Sequence, residues 1–180
     1  MYPNYRRYTN FQYNDPIDPN DYNPSEPYDY NPNEPYDYSN MVPHFMDYGP
    51  EPFVINIEEV TKQNETFRTS LWTGNHLQLT LMSIDVGEEI GLELHNDLDQ
   101  FIRIEEGEGL VQMGDQRDQL DFVTNVYEDF IIIIPAGKWH NLINTGYSPL
   151  KLYSIYAPPQ HPHSTVHETK ADSDAAEHDH

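Results

Sequence analysis

From Phe53 to Ala157 the chain is a succession of short apolar runs broken by Gly, Asn, Asp and Pro, with almost no helical period. In His76–Asp85, Leu77, Leu79 and Leu81 fall on one side of an extended strand, and Gln78, Thr80 and Met82 on the other. Ile90–His95 alternates in the same way. Phe101–Glu106 and Leu110–Met113 flank Gly107-Glu-Gly109, a hairpin signal. Phe130–Ile134 is a continuous apolar run of buried-strand type, and Lys138–Asn144 and Leu150–Ala157 complete the set, with Val54–Val60 a further candidate. Only Ile57–Gln63 and a stretch near Ala171–Glu177 could pass for helical turns. At least seven short strands predict an all-β sandwich or barrel, and about 105 residues suffice for one such core.

The rest of the sequence reads differently. Residues 1–50 hold ten of the 14 Tyr and nine of the 15 Pro, including a period-eight repeat that runs Tyr22-Asn-Pro-Ser-Glu-Pro-Tyr-Asp, Tyr30-Asn-Pro-Asn-Glu-Pro-Tyr-Asp, Tyr38. Frequent Pro removes donors and fixes φ, so this segment is expected to be a disordered tail, partly polyproline-like. Residues 51–159 are expected to form the barrel domain, and 160–180 an acidic, His-containing flexible tail. The chain carries 31 acidic against 9 Lys and Arg residues, a formal charge of -22. Such a surface repels nucleic acid and anionic lipid, so neither is an expected partner. With no Cys, disulfides, thiolate metal sites and cysteine nucleophiles are excluded. No signal peptide or membrane-length apolar run is visible, which predicts a cytoplasmic protein, with a spore coat as the alternative.

Two segments concentrate polar chemistry. Glu93 and His95 are two apart, so on a strand both point to one face, away from Leu92 and Leu94. A carboxylate and an imidazole aimed into a barrel need partners, and a metal supplies one. Gln100 follows across the turn Asn96–Asp99, and His140 lies just inside a strand after the turn Pro135-Ala-Gly137. Their spacing resembles that of the cupin superfamily. The first family motif, G(X)5HXH(X)3,4E(X)6G, has its counterparts at Gly87, Glu93, His95, Gln100 and Gly107. The second, G(X)5PXG(X)2H(X)3N, is matched at Pro135, Gly137, His140 and Asn144, with Asp129 in place of the leading Gly. The ending from Ala157 to Lys170 looks like that of small bacterial cupins related to mannose-6-phosphate isomerase.

The resemblance implies a double-stranded β-helix, or jelly-roll barrel, and a metal site of Glu93, His95, Gln100 and His140. Glu93 stands for the first His of the pattern and Gln100 for its Glu. The implied set of two imidazoles, one carboxylate and one amide carries a single negative charge, and phosphomannose isomerases use the same four residue types. Sulfur-free N/O ligands suit Fe, Mn, Zn, Ni or Co. Such a site is expected to bind a small oxygenated substrate for isomerase or epimerase chemistry. With Fe(II) it would serve a dioxygenase.

The alternatives are a non-catalytic ligand-binding module, or a spore-coat or surface-layer protein whose Tyr-rich residues 1–50 contact coat proteins and cross-link. Glu88 and Glu89, near the metal end, are general-base candidates, and Arg103 is a candidate anion holder or a salt-bridge partner of Glu105. Trp72, Phe122, Tyr127, Trp139 and Tyr153 are candidates for a substrate mouth. His161, His163, His167, His178 and His180 form a His-rich flexible end that either picks up Zn or Ni weakly or is simply solvated. By resemblance, a homodimer is expected.

Overall fold

The computed structural model describes residues 46–178. The Tyr/Pro repeat lies outside the described residues. In chain order the elements are α1 (Ile57–Gln63), β1 (Arg68–Thr73), β2 (Gln78–Ile84), β3 (Glu93–Leu94), β4 (Asp99–Glu106), β5 (Glu108–Gly114), β6 (Phe122–Tyr127), β7 (Ile131–Ile134), β8 (Trp139–Asn144), β9 (Leu150–Ala157), β10 (Val166–His167) and α2 (Lys170–His178). They form two antiparallel sheets, ordered β10-β1-β2-β9-β4-β7 and β3-β8-β5-β6. The strand pattern predicts an all-β sandwich or barrel, and the two sheets form the jelly-roll barrel that the resemblance implies. Among the described residues no helix is long and apolar enough to cross a membrane.

The inner face of the larger sheet changes character along its strands. Reading inward-facing residues along β2 gives Ile84, Met82, Thr80, Gln78, and along β9 it gives Leu150, Leu152, Ser154, Tyr156, in matching register. β4 continues the rows with Ile104, Ile102 and Gln100. One end of the barrel is therefore packed with aliphatic side chains, among them Met82, Ile84, Ile102, Ile104, Leu150 and Leu152, which form the main core. The other end is walled by buried polar groups that need partners.

The outer face of β2 is covered as well. Leu81 and Leu71 pack under Val60 of α1, with Tyr48, Phe53 and Ile57 around them. The alternation seen in the sequence is thus correct in phase, but α1 and the segment before it bury both faces. α1 begins where Asn56 accepts a hydrogen bond from the Glu59 N–H at 3.3 Å, with Glu58 and Glu59 in the first turn. Helix takes residues 57–60, so a strand over Val54–Val60 does not form.

Three other expectations are corrected. The Gly107 turn is not a hairpin: β4 pairs with β7 and β9, while β5 pairs with β6 and β8, so the chain crosses between sheets there. Gly107 makes the crossing at φ 93°, a backbone conformation natural only to Gly. The Phe130–Ile134 run becomes β7, an edge strand, with Ile131 and Ile133 at 56% and 54% exposed and Ile132 and Ile134 buried. Residues 160–178 are not a free tail: β10 pairs with β1, α2 follows, and both pack on the barrel.

Asp129, which replaces the motif Gly, sits at φ 70°. Its N–H donates to the Ile104 carbonyl at 2.9 Å, and its carboxylate accepts from Arg103 Nη2 at 2.7 Å. The left-handed backbone is therefore kept by a residue that tolerates it. Asp129→Gly is expected to change stability by less than about 1 kcal/mol, whereas Asp129→Val is expected to cost about 1–3 kcal/mol. Urea denaturation of both variants checks the difference.

Candidate metal centre

β3 and β8 bring the two histidine segments together. Glu93 lies directly opposite His140 in the β3–β8 ladder, so their side chains share a face. His95 follows one residue after β3, and its carbonyl accepts a 2.7 Å hydrogen bond from the Gly137 N–H. Gly137, at φ 80°, thereby ties the Pro135 turn to the His95 segment.

One donor atom each from Glu93, His95 and His140 lies within 4.8 Å of the others. Glu93 Oε2 is 3.4 Å from His95 Nε2 and 3.7 Å from His140 Nε2. Both imidazole Nε2 atoms are buried and lack a hydrogen-bond partner. Ligands bonded at about 2.0–2.1 Å around a tetrahedral centre stand about 3.3 Å apart, close to this spacing. The ring tautomer also fits. His140 Nδ1 lies 2.9 Å from the Lys138 carbonyl, which can only accept, so Nδ1 carries the hydrogen and Nε2 presents its lone pair.

Gln100 is fully buried in β4. Its Nε2 donates to Ser154 Oγ at 2.9 Å, while its Oε1 has no partner. The amide thus holds its donor end with protein and leaves its acceptor end free. Its ladder neighbour is Tyr156, whose ring centroid is 6.0 Å from that of His95.

A cavity of about 700 Å³ opens beside the triad, lined by Arg68, Glu93, His95, His161 and His167 among others. Gln78 fastens the backbone of Gln160 and His161, which line its far side. It accepts from the N–H of Gln160 at 3.2 Å and of His161 at 2.9 Å, and donates to the His161 carbonyl at 2.9 Å. The His161 ring then stands edge-on to Tyr156, with centroids 5.1 Å apart. Burial, reinforced by the nearby Arg68 charge, pushes the His161 pKa down to about 3. His167 is lowered for the same two reasons.

These shifts have a sign for stability. Below about pH 6.5 the unfolded chain protonates His161 and the folded chain does not, so stability falls as pH drops from 6.5 toward 3. Metal-free protein is expected to show this slope in thermal melts, and His161→Gln is expected to flatten most of it above pH 5.

The other sequence candidates lie elsewhere. Arg103 donates to Glu105 at 2.9 Å and to Asp129, outside the cavity. Glu89 accepts from Asn141 Nδ2 at 2.8 Å, and neither Glu88 nor Glu89 lines the cavity. None of Trp72, Phe122, Tyr127, Trp139 and Tyr153 lines it either. Trp72 donates to the Glu51 carbonyl, and Tyr153 faces the outer apolar cleft under Phe53 and Ile55. Asn144 is structural: its Nδ2 donates to the Ile84 and Ser148 carbonyls, and its Oδ1 accepts from the Gly146 N–H. Sequence reasoning missed Arg68, Gln78 and Tyr156, and placed His161 and His167 in solvent. A lone Arg in RTSLWT gives no sign that it points inward.

A Cupin domain model matches residues 80–156. The uncharacterized protein YrkC of Bacillus subtilis (strain 168) is 66% identical over 131 residues, 73% of this chain and 70% of that protein. The crystal structure of BH2720 from Bacillus halodurans is 67% identical, with a TM-score of 0.72 over 72% of this chain and 98% of that one. A Klebsiella pneumoniae protein with a double-stranded β-helix domain is 21% identical with a TM-score of 0.51, over 66% and 99% of the two chains, a likeness of fold alone.

Proposed function

Because this chain belongs to the cupin family, we propose that it is a mononuclear divalent-metal protein that binds a small oxygenated molecule and moves protons on it, in the manner of an isomerase or epimerase. The observation that carries the reading is the pair of buried, unpartnered imidazole Nε2 atoms within 4.8 Å of a Glu93 carboxylate oxygen. A metal held there supplies Lewis acidity toward a bound oxygen.

The chain's own groups set the rest. His95 and His140 present lone pairs, Glu93 contributes one negative charge, and Gln100 offers its free amide oxygen as a fourth donor. Leu92, Leu94, Pro162 and Ala176 line the cavity with apolar surface that limits water. His161 stays neutral and keeps an unpartnered Nε2 beside the cavity, free to exchange a hydrogen bond with a ligand. Two histidines and one carboxylate also favour a second reading, an Fe(II) oxygenase.

Elemental analysis of untagged protein, purified without a nickel column, tests the metal. One divalent ion per chain is expected, and chelation is expected to lower the melting temperature. No stoichiometric metal, with stability unchanged by chelator, overturns the reading. Deuterium uptake from D2O into hydroxy-carbonyl compounds on Mn- or Zn-loaded protein then separates proton transfer from oxygen consumption on Fe-loaded protein.

A further inference from the structure

Arg68 is an unusual residue to bury in a barrel. Its side chain is 1% exposed, and a guanidinium so far from water needs partners for all its donors. Nη1 has one, donating to Ser173 Oγ of α2 at 2.8 Å. The guanidinium carbon stands 5.6 Å from the centre of the Phe67 ring. Nε and Nη2 have no hydrogen-bond partner. Among the described residues Glu93 is the one carboxylate within ion-pair distance, and its Oε1 stays 3.7 Å from Nη2, beyond hydrogen-bond reach. Nε and Nη2 form one edge of the guanidinium, and Arg68 lines the cavity beside the triad.

Two parallel N–H groups on one guanidinium edge match the two oxygens of a planar carboxylate. We propose that this edge of Arg68 is a carboxylate-binding subsite, and that the protein's ligand is a small carboxylic acid with a second oxygen on the adjacent carbon, a 2-hydroxy or 2-oxo acid. This rests on the metal reading, because the second oxygen is the one directed to Glu93, His95 and His140. The short gap between Arg68 Nη2 and Glu93 Oε1 places subsite and triad side by side, so adjacent carbons of a single ligand span them. A phosphate would call for further donors, and few are free. Thr165 Oγ1 is spent on the Pro162 carbonyl at 2.7 Å, and His161 and His167 are held uncharged. In a chain of formal charge -22, a buried cation with two idle donors is a specific device for drawing an anion inside.

The test uses full-length protein, loaded with Co(II) and metal-free, titrated with glycolate, ethylene glycol and inorganic phosphate. Calorimetry reads affinity, and the visible Co(II) spectrum reads the metal environment. Glycolate is expected to bind and shift the spectrum, with ethylene glycol at least about tenfold weaker and phosphate no tighter than glycolate. Arg68→Lys keeps the charge but loses the paired edge. It is expected to weaken glycolate at least about tenfold with Co(II) content unchanged.

Equal affinity for glycolate and ethylene glycol overturns the subsite, as does tighter binding of phosphate. So does an Arg68→Lys protein that binds glycolate like the parent, or one that loses Co(II) and glycolate in parallel, which makes Arg68 a support for Glu93 only. If Arg68→Lys does not fold, the glycolate and ethylene glycol comparison on the parent protein decides. If the parent takes up no Co(II), the metal reading fails. Glycolate binding to that metal-free protein, with ethylene glycol inert, would then still support the subsite, and no binding would overturn it.

Discussion

Replacing His140 with alanine is expected to weaken divalent-metal binding by at least about 100-fold. Loss of a mere outer-sphere partner already costs 10–100-fold, and His140 supplies one of three clustered donor atoms. The ring is buried, so folding needs its own check by circular dichroism. His140→Gln, which keeps a polar side chain of similar reach, is the companion variant. His76→Ala, at an exposed turn outside the site, is expected to bind metal like the parent. Chelator competition with Co(II) or Zn(II) measures all three. Metal affinity in His140→Ala equal to that of the parent would break the assignment of this site.

The second large effect is on stability. Leu152 is fully buried in β9, opposite Met82 of β2 and Ile104 of β4. It sits at the aliphatic end of the barrel, where three strands hold its neighbours in register and little can collapse into a void. Leu152→Ala is expected to cost about 2–5 kcal/mol, a fall in melting temperature of roughly 10 °C or more. Leu152→Met conserves volume and is expected to cost less than about 1.5 kcal/mol. Metal content per folded chain is expected to be unchanged in both, because the triad lies at the polar end. Denaturant titrations together with metal analysis separate the two.

How far the sequence reveals this molecule depends on whether a feature is local. β9 is legible to the residue, because Leu150–Ala157 alternates cleanly, whereas α1 is half legible, because Ile57–Gln63 passes for helical turns while Val54–Val60 also reads as a strand. Glu93, His95 and His140 are legible because their spacing fixes them within two short segments. β1 is not: both its faces are covered, so RTSLWT shows no alternation, and its Arg reads as a surface residue. The Gly107 turn marks a reversal, but nothing local says that the strand after it joins the other sheet. Residues 160–178 read as solvated because they are polar and His-rich. What holds their start is the Gln78 amide gripping the backbone at Gln160 and His161, and β10 on β1 holds the rest, contacts across some eighty residues or more that no local pattern announces.

That grip separates two tasks along the gene. The three clustered donors, Glu93, His95 and His140, all fall within the matched domain span of residues 80–156. Much of the chamber facing them comes from outside that span, with Arg68 before it and His161 and His167 after it, the His161 backbone held by Gln78. Descendants of a common ancestor can therefore keep the same donor set while changing the chamber beside it, simply by rewriting the flanks. Kinship measured over the shared span then speaks to those three donors and is silent on what the chamber admits.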